Sequence, residues 1–111
     1  MPIFCWNDWN VEHIASHGVS TEEAEEIVRS AHPPFPRDQG SGKYLVWGQT
    51  SVGRYVQVIY VLPDDEDVDV DALEPVDLLA FADGESVIYV IHAMGLTDRQ
   101  KKQYRKHRGT R

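Results

Sequence analysis

The chain is poor in cysteine, in long apolar runs and in positive charge, and the first two shortages exclude whole classes of protein. Cys5 is its only cysteine, so a single chain forms no internal disulfide and no zinc site built from several cysteines. The longest apolar run, residues 58–62, is far shorter than the ~20 residues of a membrane-spanning helix. The first residues lack the charged and apolar regions of a secretory signal. We therefore expect a cytoplasmic protein with no membrane contact.

Length and composition predict one domain over residues 1–111. A chain of 111 residues fits the usual range of about 100–200 per domain, and 41% hydrophobic residues suffice for one core. The net charge of −7 is unevenly distributed: residues 64–77 carry eight acids and no base. Residues 99–111 carry seven of the eleven lysines and arginines and no acid. Such a basic segment is either a solvated helix or a surface that binds phosphates although the whole chain is acidic.

Capping patterns predict two short helices near the start of the chain and a basic helix at its end. A polar residue at position 7 or 8 caps the first helix, which Gly18 closes. Capping boxes begin the other two, Ser20 with Glu23 and Thr97 with Gln100. Three prolines between residues 33 and 36 prevent the second helix from continuing.

Aromatic and β-branched runs predict the strands. Residues 43–50 and 54–62 flank the turn Ser51-Val52-Gly53 and form a hairpin, and residues 87–94 form a third strand. The segment from Leu78 to Ala82 is either a further strand or an irregular insert. The fold class is therefore α+β, with two N-terminal helices, a three- to four-stranded antiparallel sheet and a C-terminal basic helix.

Several short motifs follow one another along the chain: Trp6-Asn7-Asp8, His17-Gly18-Val19-Ser20, Glu22-Glu23-Ala24, Gly53-Arg54, the segment from Ile91 to Arg99, and Tyr104. Together they span most of the sequence and resemble the BrnT family of type II toxins, which are small RelE-like ribonucleases. The resemblance implies a RelE-like fold, RNA cleavage without metal or other cofactor, and a cognate antitoxin as partner. It also implies that toxin and antitoxin together repress their own operon.

The chain departs from the family pattern at two important places. Met94 stands where the family usually has arginine on the third strand, which removes a charge expected to assist cleavage. Residues 63–80 look like an acidic insertion. Because its charge is opposite to that of residues 99–111, we expect the insertion to lie near the basic helix and to mask it.

RNA cleavage without a metal needs a base for the 2′-hydroxyl, an acid for the leaving oxygen and cations for the charged phosphorane. Histidine suits proton transfer because its ordinary pKa is about 6.5. His92 is the first candidate, since it lies just before the basic helix on a strand face expected to include Val90 and Met94. His17 is the second.

Arginine suits phosphate binding because its guanidinium forms two parallel hydrogen bonds. Arg54 and Arg99 are the candidates, with Tyr104 as a hydrogen-bond donor or a stacking residue. The expected RNA contacts on the same helix are Lys102, Arg105 and Lys106.

Each of these residues has a structural alternative. His92 can be a core-edge histidine, His17 a helix C-terminal histidine, Arg54 half of a strand-edge salt bridge, and Tyr104 a packing residue. His13 lies one helical turn from His17, a spacing that permits metal ligation, but no third ligand stands at a recognisable spacing, so no metal site is expected. The chain is then a BrnT-like endoribonuclease, a non-catalytic relative that binds or regulates a protein, or an acidic interaction module.

Overall fold

The computed structural model of the protein describes residues 2–109, with side chains described up to residue 107. It confirms the α+β class. The elements in chain order are β1 (Ile3–Phe4), α1 (Asp8–Ala15), α2 (Thr21–Arg29), β2 (Arg37–Asp38), β3 (Lys43–Gln49), β4 (Tyr55–Val61), α3 (Pro75–Ala82), β5 (Val87–Gly95) and α4 (Asp98–Gly109).

The predicted helix starts are confirmed at the level of individual hydrogen bonds. Asn7 is the N-cap of α1, and its side-chain oxygen accepts from the backbone N–H of Asn10. The Ser20 hydroxyl accepts from the backbone N–H of Glu23 at 3.1 Å. Before α4, the Thr97 hydroxyl accepts from the backbone N–H of Gln100, and the Gln100 side-chain oxygen accepts from the backbone N–H of Thr97. These caps satisfy N–H groups that a helix start leaves without partners, so local sequence determines where these three helices begin.

The sheet has five strands in the order β1-β5-β4-β3-β2, so the prediction of a three- to four-stranded antiparallel sheet was wrong in two respects. The two-residue strand β1 pairs in parallel with the start of β5, and β2 pairs antiparallel with β3. Both strands are too short to show a periodic pattern. The predicted hairpin of β3 and β4 and the long strand β5 are confirmed.

A bulge in β5 changes which side chains face the core. Tyr60 pairs with Val90 whereas Ile59 pairs with His92, so Ile91 is an extra residue on β5. Val90 and Ala93 are therefore both fully buried although they are three residues apart. The expected face with Val90, His92 and Met94 together was wrong: His92 and Met94 flank buried Ala93, while Val90 belongs to the core.

The acidic segment contains a helix where the sequence suggested a strand or an irregular insert. Residues 75–82 form α3, which starts with Pro75 at its first turn. A short apolar run is ambiguous between strand and helix by periodicity alone. Val68, Leu73 and Phe81 pack against the small buried group formed by Ile3, Cys5 and Val87, at the start of β5.

Among the described residues, the acidic segment and the basic helix lie at opposite ends of β4. It begins beyond Val61, the last residue of β4, whereas Lys101 and Arg105 of α4 lie over the ring of Tyr55, the first residue of β4. A seven-residue strand spans about 20 Å. The expectation that the insertion masks the basic helix was therefore wrong. Apolar packing beside β1 decides the position of the segment, since attraction between exposed charges is weak and screened.

The main core lies between the sheet and the helices. Its fully buried members include Ile14 of α1, Ile27 of α2, and Val46, Val58 and Val90 of the sheet. None of the helices described between residues 2 and 109 is long and apolar enough to span a bilayer.

Candidate functional site

Three histidines from distant parts of the sequence meet beside β5. His13 lies on α1, His17 follows the end of α1, and His92 lies on β5. Each ring centroid is 5.0 to 5.6 Å from the other two. One ring nitrogen from each residue lies within 4.8 Å of the others. We call these three residues the histidine cluster.

The end of α1 positions His17. The helix stops at Ala15, and the chain turns at Gly18, whose φ of 75° is a left-handed conformation that glycine adopts without strain. The backbone N–H of His17 donates to the carbonyl of Ile14 at 3.0 Å. Because Ile14 is fully buried, the turn that carries the exposed His17 ring is fixed to the core.

A buried asparagine fixes α1 against β5. The carboxamide nitrogen of Asn10 donates to the carbonyls of Cys5 at 3.0 Å and Val90 at 3.2 Å. Its oxygen accepts from the backbone N–H of Asn7 at 2.8 Å. Asn10 is fully buried and all of these bonds are within the protein. The same residue thus ties the first helix to the residue after β1 and to the bulged strand, and so helps to set the distance between His13 and His92.

The environment of His92 favours an uncharged ring. Burial of the ring, together with the neighbouring His17 and His13, lowers the pKa of His92 below its ordinary value of 6.5. Its Nδ1 lies 3.5 Å from Nε2 of His13. At neutral pH this ring is therefore a proton acceptor, with a second imidazole beside it.

An exposed aromatic ring borders the cluster. The Trp9 ring stacks on His13 with centroids 5.0 Å apart and planes 5° from parallel, and it is 55% exposed. The Tyr89 ring lies nearly parallel to that of Trp9, with centroids 6.4 Å apart. Exposed aromatic rings beside a polar site are platforms for nucleic-acid bases. Sequence analysis missed Trp9 and His13 as members of the site, although Trp9, His13 and His17 recur every four residues, a spacing typical of one helix side.

Arg54 forms a salt bridge next to the cluster. Its Nη1 donates to both carboxylate oxygens of Glu23, at 3.0 and 3.1 Å, and to the carbonyl of Gly18 at 2.6 Å. Burial acts to raise the pKa of Glu23, but hydrogen bonds from Ser20 and the nearby Arg54 outweigh it and lower that pKa. Arg54 therefore cross-links α2 and the loop that follows His17. Any phosphate would have to compete with Glu23 for this guanidinium.

The predicted cations of α4 are on the surface. Arg99, Lys102, Arg105 and Lys106 are exposed, and the guanidinium of Arg105 lies 5.3 Å from the ring centre of Tyr55. The side chains of Arg108 and Arg111 lie outside the described residues. The start of the helix is close to β5, since the Gln100 amide donates to Gln57, the strand partner of Met94.

Tyr104 faces the interior. Its ring is 4% exposed and packs edge-on against Tyr55 at 6.0 Å, with Phe35 at 6.4 Å. Tyr104 therefore occupies the position expected of a packing residue. A catalytic role for Tyr104 stays a prediction, and Tyr104 is not a member of the histidine cluster.

Met94 lies two residues beyond His92 on β5 and is half-buried. Alternate residues of a strand share a face about 6.6 Å apart, so the side chain at position 94 is a near neighbour of the cluster. An arginine at position 94 would add a cation between the histidine cluster and the start of α4. Its absence leaves this stretch of β5 without charge.

The expectation that no metal site exists rested on the lack of a third ligand, and the fold supplies one. His92 is 75 positions from His17 in the sequence, so no local spacing reveals it. The cluster contains only imidazoles among the residues described. Comparison with family models, curated proteins and solved structures gave no match for this chain.

Proposed function

We propose that the protein is a BrnT-like endoribonuclease with a RelE-like fold, the toxin of a toxin–antitoxin pair, and that it cleaves cytoplasmic RNA without a metal. The proposal depends on one observation above all: two imidazoles that differ in exposure, His92 and His17, lie with ring centroids 5.0 Å apart. When the 2′-hydroxyl of RNA attacks the adjacent phosphodiester, the reaction needs one side chain as base and a neighbouring side chain as acid.

In this mechanism His92 is the base. Its lowered pKa keeps it unprotonated at neutral pH, so it accepts the 2′-hydroxyl proton. The resulting oxygen attacks the adjacent phosphorus and forms a cyclic phosphate. His17, the exposed imidazole, donates a proton to the leaving 5′-oxygen. Each imidazole ends in the other's initial protonation state, so the pair resets by exchanging protons with water.

The cations and aromatics around the pair provide RNA binding. Trp9 offers an exposed ring for a base, and Arg99 with the basic face of α4 offers positive charge for the phosphates. Arg54 contributes directly only if Glu23 releases it. An acidic antitoxin would bind this basic surface through charge complementarity.

The test is incubation of the purified chain with single-stranded RNA in EDTA. Removal of a positioned base or acid typically costs ~10²–10⁴ in rate, so His92→Ala and His17→Ala should each lose at least about a hundredfold. His32→Ala is the matched control, because His32 is an exposed histidine outside the cluster. This variant should cleave RNA like the parent. Intact RNA with a folded parent protein, or equal rates in all three variants, would exclude the proposed chemistry.

A second candidate is a non-catalytic BrnT-like protein that binds a partner, and α3 favours it. Val76 and Leu79 on this helix are 71% and 69% exposed, and Leu78 is 43% exposed. Neighbouring exposed apolar side chains on one short helix are typical of protein contact surfaces. Met94 in place of arginine agrees with this function. Folded protein that leaves RNA intact in the assay above would support it over the nuclease.

A further inference from the structure

We propose that the histidine cluster binds one divalent transition-metal ion of the zinc class through three imidazole nitrogens, with a fourth position open to water. Metal binding can be measured without RNA, so this inference goes beyond the proposed ribonuclease and does not depend on it.

The spacing of the nitrogens fits such an ion. Zinc binds imidazole nitrogen at ~2.0–2.1 Å, and a tetrahedral arrangement then separates two ligand nitrogens by about 3.3–3.4 Å. Nε2 of His13 and Nδ1 of His92 are 3.5 Å apart. The three ligand atoms lie within 4.8 Å of one another, so His17 needs to approach by up to roughly 1.5 Å. Its ring is exposed and free to make that adjustment by side-chain rotation.

The composition of the cluster selects the kind of ion. Imidazole ligands suit zinc, copper, nickel and iron, whereas magnesium and calcium require oxygen ligands. Neither a carboxylate nor a thiol belongs to the cluster within the described part of the chain. Three protein ligands with one vacant position are typical of sites that bind water or an anion on the metal.

The scaffold holds two of the ligands firmly. His13 lies on a helix that Asn10 ties to the carbonyl of Val90, two residues before His92. Trp9 stacks flat on the His13 ring and limits its rotation. A site whose ligands are already held in place loses less conformational entropy when the ion binds.

An ion in this position would also take His17 and His92 out of proton transfer. This consequence, unlike the binding itself, rests on the proposed function. We expect saturating zinc to suppress cleavage that the same protein shows in EDTA. Metal binding by a protein that never cleaves RNA would support the site and overturn the ribonuclease proposal, so the two can fail separately.

The experiment uses the full chain, treated with EDTA and desalted, and titrates it with Co²⁺ by visible absorption and with Zn²⁺ by calorimetry. We expect saturation at one ion per chain. His17→Gln and His13→Ala should weaken binding at least tenfold, since even residues that only orient a ligand are typically worth ~10–100-fold in metal affinity. His32→Ala should bind like the parent. His17 is exposed, so His17→Gln keeps the test valid even if another variant fails to fold.

Trp9 reports where the ion binds. Co²⁺ within the cluster lies beside the ring that stacks on His13, so binding should quench tryptophan fluorescence. Trp9→Phe should remove most of this quenching, because the other tryptophans, Trp6 and Trp47, are outside the cluster. The proposal is overturned by absence of saturable binding, by equal affinity of His17→Gln and the parent, or by quenching that survives Trp9→Phe.

Discussion

Asn10 gives the sharpest test of how the site is held together. Asn10→Ala removes two donated hydrogen bonds, to Cys5 and Val90, and one accepted bond from Asn7, at a fully buried position. Each bond contributes about 0.5–1.5 kcal/mol net, and a buried carbonyl left without a partner costs about 1–3 kcal/mol. The expected loss is therefore about 3 kcal/mol, a large share of the ~5–15 kcal/mol that stabilises a small domain.

Urea unfolding, followed by tryptophan fluorescence, measures this loss. Gln39→Ala is the matched control, because Gln39 is an exposed amide and its substitution should change the free energy of unfolding by no more than ~0.5 kcal/mol. The folded fraction of Asn10→Ala should also bind Co²⁺ more weakly, since α1 is no longer tied to β5. A loss below about 1 kcal/mol for Asn10→Ala would refute the view that Asn10 fixes the cluster.

Two further predictions concern Glu23 and Met94. Glu23→Gln keeps the capping box but removes the ion pair with Arg54, so stability should fall by about 0–1 kcal/mol at neutral pH. Because the pKa of Glu23 is lowered in the folded protein, the carboxylate contributes to stability fully above its ordinary pKa of 4.5, and this contribution is lost as pH falls through the lower folded value. The stabilities of variant and parent should therefore converge in acid. A difference in stability that stays constant as pH falls would contradict this. Met94→Arg places a guanidinium next to His92 at a half-buried position and should raise kcat/KM for RNA about a hundredfold, as expected for a charge-stabilising group worth ~2–4 kcal/mol. A folded Met94→Arg protein with parental activity would show that the missing arginine does not limit cleavage.

Local patterns predicted the parts of the fold that local interactions decide. The capping boxes at Ser20 and Thr97 and the turn before Arg54 each involve residues within four positions of one another. The two capping boxes and the turn were therefore predicted correctly from the sequence. The strands β3, β4 and β5 also followed from side-chain type, because β-branched and aromatic residues fit a half-buried pleated surface.

Contacts between distant residues could not be predicted in the same way. β1 is a strand only because Ile3 and Phe4 find partners 84 positions away, at Val87 and Ile88. The bulge at Ile91 exists only in the pairing with β4, yet it decides which face of β5 carries His92. Long-range pairing therefore determines both the part of the topology that was not predicted from the sequence and the assembly of the candidate site.

The candidate site shows the same division. His17 and His92 were chosen from the sequence for their chemistry, and the fold brings them together. His13 was dismissed as a ligand because its only visible partner was His17, and Trp9 was not considered. The signal for both was the spacing of four from Trp9 through His13 to His17, which becomes informative only when β5 is known to lie beside α1.

Cleavage of a matched pair of oligonucleotides in EDTA tests the central claim most directly. One is all RNA, and the other carries 2′-deoxynucleotides at every position that the protein cuts in the first. If His92 takes the proton of a 2′-hydroxyl, the RNA should yield products that end in a cyclic phosphate, and the 2′-deoxy oligonucleotide should stay intact. Cleavage of both oligonucleotides, cleavage of neither, or loss of activity on adding EDTA would contradict metal-independent catalysis by the histidine cluster.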